Sequence, residues 1–77
     1  MKYFVLVYKQ MSGALQVFEE FPEGAGHEAL DRRFELELEY RNNPDAEVVV
    51  LGADSRSDLE KTHARYFKNL RELAAAS

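Results

Sequence analysis

Lys2-Tyr3-Phe4-Val5-Leu6-Val7-Tyr8 is an unbroken run of β-branched, aliphatic and aromatic residues after one lysine. A strand with one wet face alternates apolar and polar residues, whereas a run without alternation belongs to a strand buried on both faces. This segment is therefore expected to be the central strand of a sheet, and the rest of the chain is read outward from it.

Downstream, Lys9-Gln10-Met11-Ser12-Gly13 is short and polar and ends in glycine, which suits a hairpin loop. A second strand over 14–21 alternates Leu15 and Val17 with Gln16 and Glu20. Its Glu19-Glu20 pair suits a sheet edge, where charge discourages unwanted pairing. Pro22 ends it. From His27 to Arg41 the period turns helical, with Leu30, Phe34 and Leu38 forming one apolar stripe and Ala29, Leu36 and Tyr40 a second about 130° away, so both flanks are expected to touch something. Asn42-Asn43-Pro44 stops this helix, because the residue before proline avoids the α region. Glu47-Val48-Val49-Val50-Leu51 reads as a third buried strand and Gly52-Ala53-Asp54 as the turn out of it.

The last element carries overlapping N-cap signals, Ser57-Asp58-Leu59-Glu60 and Ser55-Arg56-Ser57-Asp58. Leu59, His63, Tyr66, Leu70 and Leu73 fall within about 80° of helical arc, so a long second helix should bury that stripe, with residues 74–77 frayed. The order is β-β-α-β-α. This predicts an α+β two-layer sandwich: a three-stranded, mainly antiparallel sheet in order 2-1-3, with two helices packed on one face.

At 77 residues the chain is one small domain (residues 1–77), of a size for which oligomerisation is a common source of extra stability. It has no cysteine, which removes disulfides, thiolate metal sites and cysteine nucleophiles. No apolar run approaches a membrane span, and Lys2 followed by Tyr3-Phe4-Val5 lacks a signal-peptide cleavage site, so a cytoplasmic location is expected. Net charge is −4, and the acids concentrate in residues 1–54, where eleven stand against five bases. Residues 55–77 hold three acids and five bases, so only the C-terminal segment is basic.

Motifs that carry chemistry are sparse. His63 lies within an apolar stripe without a second histidine at metal-ligand spacing, and reads as a core or boundary histidine. Glu35, Glu37 and Glu39 with Glu28 and Asp31 make the first helix acidic, but they sit among Arg32, Arg33 and Arg41 as a solvated face would. No cofactor and no metal is implied, and no enzymatic activity is expected.

Three functional readings follow. The first is a non-enzymatic protein-interaction module, homodimeric through one face of the sheet. If Lys9 pairs with Gly13, Val5 and Val7 face Val17 and Leu15 on a small aliphatic side, while Phe4, Leu6 and Tyr8 share the other with Phe18. Two helices on the aliphatic side would leave Phe4, Leu6, Tyr8 and Phe18 outward as an interface. The alternative is that the second helix crosses over and covers them. Association through the second stripe of the first helix, at Leu36 and Tyr40, is a further candidate. The second reading is a small nucleic-acid-binding regulator using Lys61, Arg65, Lys68 and Arg71 on one helix face. The third is anion or ligand binding at the strand-to-helix turn, by Gly52, Ser55, Arg56 and Ser57. A single glycine and two flanking aspartates make that motif weak, and helix capping accounts for the same serines.

Overall fold

The computed structural model describes residues 1–67. Strand β1 (Lys2–Lys9) lies at the centre of a three-stranded sheet, flanked by β2 (Leu15–Phe21) and β3 (Ala46–Ala53), in order β2-β1-β3 with both pairs antiparallel. Helix α1 (Gly26–Glu39) joins β2 to β3, and a short helix α2 (Arg56–Thr62) is followed by a 3-10 turn over Ala64–Phe67. The β-β-α-β-α order and the central place of β1 are those expected from the sequence. Phe4, Val5, Leu6 and Val7 are all fully buried, as an apolar run without alternation requires.

The pairing of β1 with β2 differs from the expected register. The loop closes with the Lys9 N–H donating to the Ala14 carbonyl at 2.8 Å and the Gly13 N–H to the Lys9 carbonyl at 2.7 Å, so Lys9 meets Ala14 rather than Gly13. A bulge then places Tyr8 opposite Leu15 and Val7 opposite Val17, leaving Gln16 as the extra residue. Together these shift most of β2 by two residues: Leu6 faces Phe18 and Phe4 faces Glu20. A shift of two preserves the faces, so Phe18 stays on the side of Phe4 and Leu6, with the Phe4 and Phe18 ring centroids 5.7 Å apart on the diagonal. Gly13 has φ 75°, where a side chain is strained. Gly13→Ala is expected to cost about 1 kcal/mol, read from the urea midpoint.

The two helical elements take opposite faces of the sheet, which corrects the expectation that both pack on one. Val5 and Val7 pack with Ala29 and Leu36 of α1, joined by Val17, Val48 and Val50. On the other face Phe4 and Leu6 pack with Ala53, Leu59, Tyr66 and Phe67, joined by Tyr8, Leu15, Phe18 and Val49. The physical reason is the size of the aromatic face. Left in water, it would expose several large rings in a domain with little stability to spare, and burying one such side chain stabilises by about 1.5–3 kcal/mol.

The cover also has a shape that periodicity did not anticipate. The long second helix expected from Leu59, His63 and Tyr66 ends after Thr62. There the Thr62 hydroxyl donates to the Asp58 carbonyl at 3.0 Å, a side-chain bond that competes with the helical ladder. His63 caps the helix in a non-helical conformation, and the chain turns back so that Tyr66 meets Tyr8 edge-on at 5.0 Å and Phe67 meets Phe18 at 5.8 Å. Leu70, Leu73 and the expected fraying of 74–77 lie outside the described residues.

Candidate interaction surface

Helix α1 is held to the sheet by a narrow line of contacts. Ala29 and Leu36 are fully buried, and Tyr40 packs beside them. Near the start of the helix, Gly26 runs so close to Tyr3 that an added Cβ would lie 3.2 Å from the ring. On the β2 side, Arg32 donates to Glu19 from Nε at 3.0 and 3.1 Å and from Nη2 at 3.0 Å, and Nη1 reaches Glu35 at 3.0 Å. Bonds to Glu19 first and Glu35 second raise the Arg32 pKa above its ordinary value, and the two-nitrogen contact with Glu19 ties this side of α1 to β2.

That attachment turns the other stripe into water. Leu30, Phe34 and Leu38 are 44%, 62% and 65% exposed, one per turn along α1. Taking the helical 100° per residue, Arg32 points about 60° to one side of Ala29, while Leu30 and Phe34 point about 100° and 140° to the other. Since Arg32 is bound to β2, the Leu30 end of the stripe leans to the β3 side, while Leu38, about 180° from Ala29, points straight away from the sheet. The sequence placed both stripes of α1 in contact with something. In the structure only Ala29, Leu36 and Tyr40 are so engaged. Charged pairs border the apolar line, with Arg33 Nε donating to Glu37 Oε1 at 2.7 Å and Arg32 bound to Glu35. Between α1 and β3 a groove of about 350 Å³ is lined by Glu37, Tyr40, Arg41, Asn43, Pro44, Ala46 and Val48.

The edges of the sheet are unequal. Edge strand β2 carries the bulge at Gln16 and the charged Glu19 and Glu20, both devices that discourage strand addition. Edge strand β3 pairs with β1 in regular register from Ala46 to Ala53 and reads Ala-Glu-Val-Val-Val-Leu-Gly-Ala, without proline, bulge or lysine. Its one charged residue, Glu47, is bonded to Gln10 at 2.9 Å and to the Tyr66 hydroxyl at 3.2 Å.

The interface residues expected from the sequence fall elsewhere. Phe4 and Leu6 are fully buried beneath α2 and the 3-10 turn, and Tyr8 and Phe18 pack against the same cluster, so the aromatic face is this chain's own core. Leu36 is fully buried under α1, and Tyr40 is half-buried beside it.

At the turn after β3, Ser55 caps α2 by accepting from the Asp58 N–H at 3.1 Å, the second of the two capping signals. Arg56 lies 4.8 Å over the Phe18 ring and 3.7 Å from Glu60. Gly52 abuts Met1, and Ser57 is exposed on α2. The cap and the ring contact therefore employ two of the four candidate anion-binding residues in structure. Ser55→Ala is expected to cost about 1 kcal/mol by urea titration, because α2 has little else to hold its first turn.

Of the proposed nucleic-acid face, Lys61 is exposed on α2, whereas the Arg65 side chain, Lys68 and Arg71 lie outside the described residues. Among the described residues no group of three or more His, Asp and Glu is placed to hold a metal ion, and no helix is long and apolar enough to cross a membrane. No protein-family model matches the chain, and neither a curated protein nor a solved structure matches it.

The exposed stripe was visible in the sequence as periodicity. The missed signal was geometric: one helix over a three-stranded sheet can bury only one of two stripes 130° apart.

Proposed function

We propose that the chain is a protein-interaction module that forms a homodimer through the Leu30, Phe34 and Leu38 stripe of α1. The observation that carries this reading is the exposure of three large apolar side chains, one per turn, on a helix whose opposite side is clamped to the sheet. At 44%, 62% and 65% exposure they leave on the order of 300 Å² of apolar surface in water, the scale of the largest apolar patch on a monomer, which is often a functional one. The line is self-complementary. Two antiparallel copies of α1 related by a two-fold axis at Phe34 set Leu30 of one against Leu38 of the other, with charged residues at the rim.

Sedimentation tests it. The wild-type chain is expected at about twice its 8.9 kDa mass at micromolar concentration, and Phe34→Glu at the monomer mass with unchanged circular dichroism. A wild-type monomer at high micromolar concentration would overturn the proposal, as would a Phe34→Glu variant that remained a dimer.

A further inference from the structure

We infer that the same dimer joins two copies of β3 edge to edge, making one continuous six-stranded antiparallel sheet; this rests on the proposed association through α1. Three observations point there.

The stripe alone is small. A stable interface buries about 800 Å² per partner, and Leu30, Phe34 and Leu38 offer on the order of 300 Å². The remainder must come from surface adjoining the stripe. Because Arg32 ties the opposite side of α1 to Glu19 of β2, the adjoining surface is the groove at Val48 and the edge of β3 beyond it.

The two edges also differ in how they are guarded. Strand β2 carries a bulge and two adjacent glutamates, whereas β3 is eight residues long, regular and mostly aliphatic. Alternate residues of an edge strand direct N–H and C=O groups away from the sheet, and a strand of this kind is a template for another strand. The covalent order makes β3 such an edge, since it is connected only through α1 and α2, and both helices lie on the faces of the sheet rather than beside it.

Symmetry selects a second copy as the occupant. An antiparallel pair of identical strands is isologous, with the two-fold axis perpendicular to the sheet, and the same axis brings the two α1 helices together on one face. The strand contact and the Leu30 and Phe34 part of the α1 contact, which leans toward β3, therefore share one operator, with Leu38 at the outer rim. A partner of different sequence would need its own edge strand and its own apolar helix in the same relative placement.

Since the chain has no cysteine, a single introduced cysteine can form a disulfide only between molecules. Val48→Cys, Val49→Cys, Val50→Cys and Leu51→Cys are compared after mild oxidation, with Gln16→Cys on the β2 edge as reference, and with amide exchange on the wild type and on Phe34→Glu. In antiparallel self-pairing only residues at the axis face their own copies, and one residue away the separation already rises to about 7–8 Å. Covalent dimer is thus expected to peak at one or two adjacent β3 positions, fall off on either side, and stay at background for Gln16→Cys. Amides on the outer edge of β3 should exchange about tenfold or more slowly in the wild type than in Phe34→Glu.

A dimer by sedimentation with no β3 maximum, and with outer β3 amides exchanging alike in wild type and Phe34→Glu, overturns the edge pairing while leaving the α1 interface standing. A wild-type monomer removes both. The exchange comparison needs no β3 substitution, so it decides the matter even if a cysteine variant fails to fold.

Discussion

Phe4→Ala is expected to leave the chain largely unfolded or at the margin of folding at 25 °C, with a loss of about 3–5 kcal/mol. Phe4 is fully buried on the central strand, and its ring meets Phe18 at 5.7 Å. A domain of this length has total stability on the order of 4–11 kcal/mol, so one ring accounts for a large fraction. The loss is felt by the whole domain because β1 presents the aromatic cluster on one side and the aliphatic cluster on the other. A cavity on its Phe4 side weakens the support of the strand that both helical layers share. Urea titration followed by circular dichroism measures the effect. A loss below about 1.5 kcal/mol would mean that the aromatic face is not a packed core.

Phe18→Glu should cost less, because the side chain is only half-buried and the Arg56 guanidinium, 4.8 Å above the ring, could pair with the new carboxylate. Comparing these two variants separates loss of packing from burial of a charge.

The elements and their order were legible because their signals are local. The run from Tyr3 to Tyr8 has no alternation, Pro44 stops α1, and Ser55 and Ser57 supply overlapping caps, each decided within a few residues. Strand order followed from asking which run is apolar on both faces. The layer arrangement was not legible in the same way. Whether α2 lies beside α1 or across the sheet is decided where the chain leaves β3, between Ala53 and Ser55, and the cover is completed by the break at His63, which brings rings together across long sequence separations. Helical periodicity extrapolates through such a break, since Leu59 and Tyr66 share a stripe whether or not the helix is continuous between them.

The candidate interface moved for the same reason. Once the helices occupy opposite faces, Phe4 and Leu6 become core and α1 no longer has a neighbour for its second stripe, so the unpartnered apolar surface passes from the sheet to Leu30, Phe34 and Leu38. The sequence reading held the second helix crossing over to cover the aromatic face as its alternative, and the structure takes that alternative. What the sequence reading lacked was the count of layers, and hence which surface remained.

Phe67→Ala tests that arrangement from the covering side. Phe67 is fully buried at the end of the 3-10 turn, edge-on to Phe18 at 5.8 Å, and Tyr66 beside it closes over Tyr8. Truncation to alanine is expected to cost about 3–5 kcal/mol, as for a core aromatic, although the residue lies far along the chain from the strands it covers. Phe34→Ala, at 62% exposure, removes an identical side chain from the opposite layer and should change monomer stability by no more than about 0.5 kcal/mol. The pair thus isolates burial from residue type, with both variants measured at concentrations where they sediment as monomers, which keeps dissociation out of the comparison.

A second effect should accompany the first. Lifting the 3-10 turn bares Phe4, Phe18 and Tyr8 together, so the variant should bind a hydrophobic dye and associate further as concentration rises, at conditions where the wild type does neither. Were Phe67→Ala to lose less than about 1 kcal/mol, the turn would be an incidental covering, and the aromatic face would become available as the interface that the pairing of β1 with β2 first suggested.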